Sequence, residues 1–192
     1  MKKILFMIAC CLMATVQNIF AQDNYSGKVF LQHKGNITAM YGGDEIDKAI
    51  EAAVDGDTLF LSKGRFNSNF TINKSICLIG SGAESGSDTQ KSTYIDWNYY
   101  PRIKAGEGKI ISSVTIEGIY CCPDFYVEGK IENLKIKKCY FINTLGISNS
   151  SNNGYTKKVT IDRCRLADIS TDGSIEDATI KNCKISRAYG QG

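Results

Sequence analysis

Between Ser112 and Ile185 one short phrase is written four times, as SVTIEGIYC, NLKIKKCYF, KVTIDRCRL and DATIKNCKI. Superposed, the phrases align Ile116, Ile136, Ile161 and Ile180 in one column, with Val114, Leu134, Val159 and Ala178 two places before. Ile119, Cys139, Cys164 and Cys183 stand three places after, and Cys121, Phe141, Leu166 and Ile185 two further on. Apolar residues alternate, skip two positions and alternate again, which a strand of period two can follow only by bending at the skip. Each phrase reads as two short strands meeting at a corner.

Successive column isoleucines are 20, 25 and 19 residues apart, and a near-constant repeat of this length predicts a solenoid. No turn can bury its apolar face alone, so like turns stack at about 4.8 Å with equivalent residues above one another. Glu117, Lys137, Asp162 and Lys181, each following a column isoleucine, alternate in sign up such a stack. Exposed pairs of this kind are worth under about 1 kcal/mol each.

Residues 1–22 read as a secretory signal peptide. Lys2 and Lys3 precede an apolar run from Ile4 to Val16, and cleavage is expected after Ala21. The run is too short to span a bilayer comfortably. A lipoprotein box at Met7–Cys10, with Cys10 acylated, is the weaker reading because so few apolar residues precede it. The chain is therefore expected in the periplasm, outside the cell or on its surface. Removing Lys2 and Lys3 leaves 21 basic residues against 20 acidic, a net charge of +1, which predicts no nucleic-acid or anionic-membrane partner.

The rest, 23–192, is expected to be one domain, with an N-terminal cap over 23–55 and coils over 56–187. Residues 28–41 read as one or two leading strands. Gly42-Gly43 then opens a predicted helix from Asp44 to Val54, with Asp44 and Asp47 in its first turn and Ile46, Ala49, Ile50, Ala53 and Val54 on one stripe. Standing just before the first coil, this helix is the expected lid over the open end of the stack.

Residues 55–82 continue with Gly56-Asp57-Thr58, a short strand, Gly64 with Phe66 two places on, a strand, Asn73-Lys74, and a strand closing on Gly80 and Gly82. Together with the helix ending in Ala52-Ala53, this resembles the opening of the pectin-lyase-like right-handed parallel β-helices, in detail over residues 44–82 and loosely to 185. The resemblance implies an all-β, single-stranded, right-handed parallel β-helix with a short N-terminal capping helix. Phe60, Leu61, Phe70, Ile72, Ile76 and Leu78 are the expected inward positions. Phe60, Leu78 and Ile95 continue the isoleucine column downward, giving about seven turns.

Two polar segments, 81–92 and 148–158, break the pattern and read as loops growing out of corners. The first leads to Tyr94, Asp96, Trp97, Tyr99, Tyr100, Arg102 and Lys104, a group holding the only tryptophan. Sugar rings dock on flat aromatic faces while carboxylates and guanidinium groups take their hydroxyls, so these seven are the candidate carbohydrate-binding residues. The alternative is that the rings pack across a corner or cover the side of the coil.

The reading favoured for function is an exported, non-catalytic module that binds or displays carbohydrate. The resemblance also allows a polysaccharide lyase or glycoside hydrolase, and a structural adhesin-type stalk is the third reading. A lyase would need calcium-binding carboxylates with an Arg or Lys base, and a hydrolase paired acids on one face. Glu117 and Asp162, two turns apart with Lys137 between, fit neither, and Asp168, Asp172, Glu176 and Asp177 fall mostly in corners. No catalytic residue is carried over from the family and no metal site or cofactor is expected, calcium entering only under the lyase reading. After Ile185 only SRAYGQG remains. The chain is therefore expected either to be a piece of a longer protein or to pair its top turn end to end with another molecule.

Export removes Cys10 and Cys11 and leaves Cys77, Cys121, Cys122, Cys139, Cys164 and Cys183. In-register side chains one turn apart hold their β-carbons about 4.8 Å apart, beyond the usual 3.5–4.5 Å of a disulfide. Cys139, Cys164 and Cys183 are thus expected as a buried stack of thiols rather than bridges. Zinc is disfavoured, since no CxxC or histidine pair accompanies them and His33 is the lone histidine. Titration of the unfolded, unreduced exported protein should find most of these six as free thiols; finding none would reverse the assignment.

Overall fold

The computed structural model describes residues 26–83, 92–148 and 154–191. The expected signal segment, Cys10 and the cores of both polar loops lie outside them. Described residues form mainly β-structure in three sheets, which the chain visits in rotation.

The first sheet has eight strands. Six are parallel, one from each pass: Thr58–Leu61, Cys77–Gly80, Val114–Glu117, Leu134–Lys137, Val159–Asp162 and Thr179–Lys181. Ile116 lies in register with Ile136, Ile136 with Ile161 and Ile161 with Ile180. The three lower members are buried, whereas Ile180 in the last pass is 46% exposed.

The second sheet bends. Its strand Tyr140–Ser148 pairs through its first half with Ile119–Cys121 and through its second with Phe125–Glu128. Cys121, Phe141, Leu166 and Ile185 stack in one inward column on the near side of this bend. Ile72, Ile103, Val127 and Ile147 form the corresponding column beyond it. A third, narrow sheet of Ile110–Ile111, Lys130–Ile131, Tyr155–Lys157 and Ser174–Glu176 closes the circuit. The inward columns of all three sheets meet in one core.

The described residues make six passes, not seven. Ile95 does not stand between Leu78 and Ile116; those two are direct neighbours, and Ile95 lies in the second sheet between Phe66 and Cys121. One long turn, carrying the Trp97 segment, imitates two short ones in sequence spacing. At the lower end Leu59, not Phe60, sits under Leu78, so Phe60 faces outward.

The skipped positions in the repeat are corners in left-handed conformation: Gly118 (φ 67°), Lys138 (50°), Arg163 (55°) and Asn182 (55°). Their N–H groups carry the ladder one turn upward, from Gly118 to Lys137 O, Lys138 to Asp162 O and Arg163 to Lys181 O. The next inward residue is a cysteine in three of the four. Its thiol donates to the carbonyl two residues back, at 3.2 Å for Cys139, 3.4 Å for Cys164 and 3.1 Å for Cys183. A small side chain with a weak donor suits a corner whose carbonyl is tilted off the ladder. All six cysteines among the described residues are free thiols, and burial pushes Cys139 and Cys121 well above the ordinary thiol range.

The N-terminal end is capped by two devices rather than the helix alone. β1 (Lys28–His33) and β2 (Asn36–Gly42) form a hairpin, and β1 pairs antiparallel with Thr58–Leu61, occupying the backbone edge of the first pass. A 3-10 turn, Gly43–Glu45, then leads into α1 (Ile46–Ala52), shorter than the predicted helix. Ile46, Ala49, Ile50 and Ala53 cover the apolar end of the core, while Val54 is exposed where the chain leaves the helix. Asp57 ties these parts together: its carboxylate accepts the Val54 N–H at 2.9 Å and meets His33 Nδ1 at 2.7 Å. Burial alone would raise the Asp57 pKa, but these partners hold it below the usual carboxylate range.

Gly118 is the corner that must be glycine. A Cβ there would lie 2.8 Å from the Gly80 carbonyl oxygen, in addition to the left-handed backbone. Gly118→Ala should therefore cost about 2 kcal/mol in chemical denaturation. A cost near zero would show that the corner relaxes freely.

Candidate functional site

The seven candidate residues divide into a packed group and a surface group. Tyr94 belongs to the packed group, only 6% exposed although its strand turns it to the outside of the second sheet. It stacks on Tyr120 with centroids 5.3 Å apart, and Tyr120 meets Tyr140 edge-on at 4.9 Å. Arg65 lies over Tyr94 at 5.5 Å and Arg165 over Tyr140 at 4.6 Å. All five are register neighbours, so the stacking spacing of the strands builds this Arg-Tyr-Tyr-Tyr-Arg column. Cys122 is buried against it; burial pushes its thiol up to about 11 despite a hydrogen bond with Tyr94, and raises the Tyr94 phenol too.

Asp96 closes the segment that follows. Its carboxylate takes Arg65 at 3.1 Å and the Trp97 N–H at 2.7 Å. Beyond it Trp97 is 51% and Tyr100 61% exposed, with Tyr99 half-buried between them. The Tyr100 N–H donates to Asn69 Oδ1 at 2.8 Å, which fixes the backbone that carries the ring.

Tyr100 and Arg102 line a groove of about 630 Å³ between α1 and the far half of the second sheet. Asp47 and Glu51 project from the helix, and Asn69 and Asn73 flank the strand Thr71–Ile72 beneath. Lys74 at its edge is committed elsewhere, its Nζ donating to the carbonyls of Ile50, Glu51 and Ala53 at the end of α1. Lys104 lies in a second groove of about 640 Å³ with Lys109, Lys130 and Glu107, and pairs with Glu128 at 3.0 Å. Thr71 and Asn73 line both, so the grooves adjoin.

Asp47, Glu51, Asn69 and Asn73 were not among the sequence candidates. Asp47 and Glu51 are four residues apart, which puts both carboxylates on one helix face with β-carbons about 5–6 Å apart. That spacing is visible in the sequence; what it faces is not. The groove offers a flat aromatic ring, a guanidinium, two carboxylates and two amides, a set able to bind a hydroxyl-rich ligand in several directions.

Four acids of the repeat are occupied by structural partners. Glu117 pairs with Lys138 at 2.7 Å rather than with Lys137 above it. Asp162 is buried, held by Asn182 at 2.9 Å and Arg163 at 3.1 Å, and these bonds lower its pKa. Asp168 pairs with Arg187 at 2.6 Å and Glu176 with Lys157 at 3.5 Å. Among the described residues no cluster of three or more His, Cys, Asp or Glu could hold a metal ion, and no helix is long and apolar enough to cross a membrane.

Comparison with protein-family models, curated proteins and solved structures finds no match to this chain.

The packed and surface groups should respond differently to truncation. Tyr94→Ala empties a buried stack and should cost about 3 kcal/mol. Tyr100→Ala should change stability by no more than about 0.5 kcal/mol. Equal effects in denaturant melts would refute the division.

Proposed function

We propose that this chain is a right-handed parallel β-helix module of an exported protein, and that it binds carbohydrate without transforming it. Three mainly parallel sheets visited in rotation, with in-register inward columns, support the architecture. The groove carries the functional reading: an exposed Tyr100 ring beside Arg102, facing Asp47 and Glu51 across a floor edged by Asn69 and Asn73. Hydroxyl groups of a sugar both donate and accept, so they match a mixed set of carboxylate, amide and guanidinium groups, while the ring stacks on the apolar face of the pyranose. Trp97, three residues before Tyr100, supplies a second exposed aromatic face. The localisation reading rests on the Lys2-Lys3 and Ile4–Val16 segment.

One observation favours the hydrolase alternative. Asp47 and Glu51 line the same groove one helical turn apart on one face of α1, and a hydrolase works with a pair of carboxyl groups. Glycan-array binding and calorimetry should detect a ligand that Tyr100→Ala or Trp97→Ala weakens at least about tenfold while melting stays unchanged. Incubation of the same glycan should release no new reducing ends. Release that disappears in Asp47→Asn and Glu51→Gln would establish the hydrolase instead. Loss of stability in Trp97→Ala, with no binding to any glycan, would remove the carbohydrate reading.

A further inference from the structure

Among the described residues β2 is the outermost strand of the first sheet and is hydrogen-bonded to β1 on one side only. An open strand edge is a template for another strand, and proteins commonly guard such edges with lysine, proline or a bulge that turns the edge away. β2 reads Asn-Ile-Thr-Ala-Met-Tyr-Gly, with neither charge nor proline. Its one irregularity is a bulge at Thr38, the extra residue opposite Leu31/Gln32, beyond which Ala39–Gly42 runs in regular register to the end of the strand. The far end of the stack differs, because Thr179–Lys181 ends in a lysine and Lys184–Gln191 carries Lys184 and Arg187.

The outer face at β2 is apolar as well. Met40 is in register with Phe30, Phe30 with Phe60 and Phe60 with Ile79. Their strand neighbours Val29, Leu31, Leu59, Leu61 and Leu78 are buried, so these four side chains point out. Met40 is 63% exposed and Ile37, on the same strand, 54%. Further up, the same outward column changes to Glu117, Lys137, Asp162 and Lys181. An apolar row therefore crosses four strands and stops at a bare backbone edge, the combination expected of a contact surface.

We propose that β2 is a self-association edge, at which two copies of this chain pair antiparallel about a twofold axis and the first sheet runs from one copy into the other. The twofold sets β2 against itself. Like charges facing one another across a strand pair would oppose such a match, and β2 has none. The join also continues the Met40–Phe30–Phe60–Ile79 row of one copy into that of the next. A seven-residue edge buries less than the roughly 800 Å² per partner of a standard interface, so the dimer is weak and depends on concentration.

Sedimentation velocity on the full chain over a concentration series should show a monomer–dimer equilibrium. Met40→Lys should weaken the dimer at least about tenfold by setting like charges near the axis, with circular dichroism and melting unchanged. Ile37→Lys, at an exposed outward position of the same strand, is the second variant should Met40→Lys fold poorly. Amide exchange within β2 should slow as wild-type concentration rises and stay constant in the lysine variant. A monomer at every concentration would overturn the proposal, as would association undiminished in both variants. Equal protection of β2 at all dilutions would also overturn it, because the chain itself would then cover the edge.

Discussion

The hydrogen-bond ladder between successive passes is the constraint on which the rest of the molecule depends. Each strand is only two to nine residues long, too short to persist alone, and its backbone groups find partners only in the pass above or below. Parallel pairing in register follows, with one shift between Phe141 and Thr144, and register fixes which side chains meet. Leu59, Leu78, Ile116, Ile136 and Ile161 stack because the ladder gives them no other neighbours. The outer columns obey the same rule, so Tyr94, Tyr120 and Tyr140 form a stack outside the sheet just as the isoleucines do within it.

A ladder of this kind creates two problems, at the corners and at the ends, and the chain treats them differently. At the corners one left-handed residue turns the strand while its N–H stays on the ladder. The cysteine that follows satisfies the displaced carbonyl with a thiol. Cysteine here acts as a small hydrophobe with a donor, and the six thiols need no oxidation to explain their positions. At the N-terminal end an antiparallel hairpin takes the backbone groups while α1 covers the apolar cross-section, with Asp57 linking the two. The hairpin also moves the open edge outward to β2, where no charge guards it.

The two grooves lie where this regularity lapses. The long turn between Leu78 and Ile116 leaves the ladder after Ile95 and rejoins it at Arg102, and the Trp97–Tyr100 segment rides outside the stack. Tyr100 and Arg102 come to face α1 because the helix is wedged against the lowest pass. Side chains on the ladder are committed to their vertical neighbours, as the pairs Glu117–Lys138 and Asp168–Arg187 illustrate. Freedom to meet a ligand belongs to the irregular turn, to the strand Arg102–Lys104 where it rejoins the ladder, and to the face of α1 opposite.

The sequence alone determined the repeat, its corner positions and most of its inward residues, though not at Phe60, because an apolar alternation broken at constant places permits few chain paths. It also located the aromatic segment. Only the tertiary structure decided how many passes there are, since spacing cannot tell one long turn from two short ones. It alone separated Tyr94, which packs under Arg65, from Tyr100, which stands free beside α1. The physical reason is that period and composition report which face a residue occupies within its own strand. What lies across that face is set by strands and helices tens of residues away, and Asp47 reaching the groove of Arg102 is a contact of that kind.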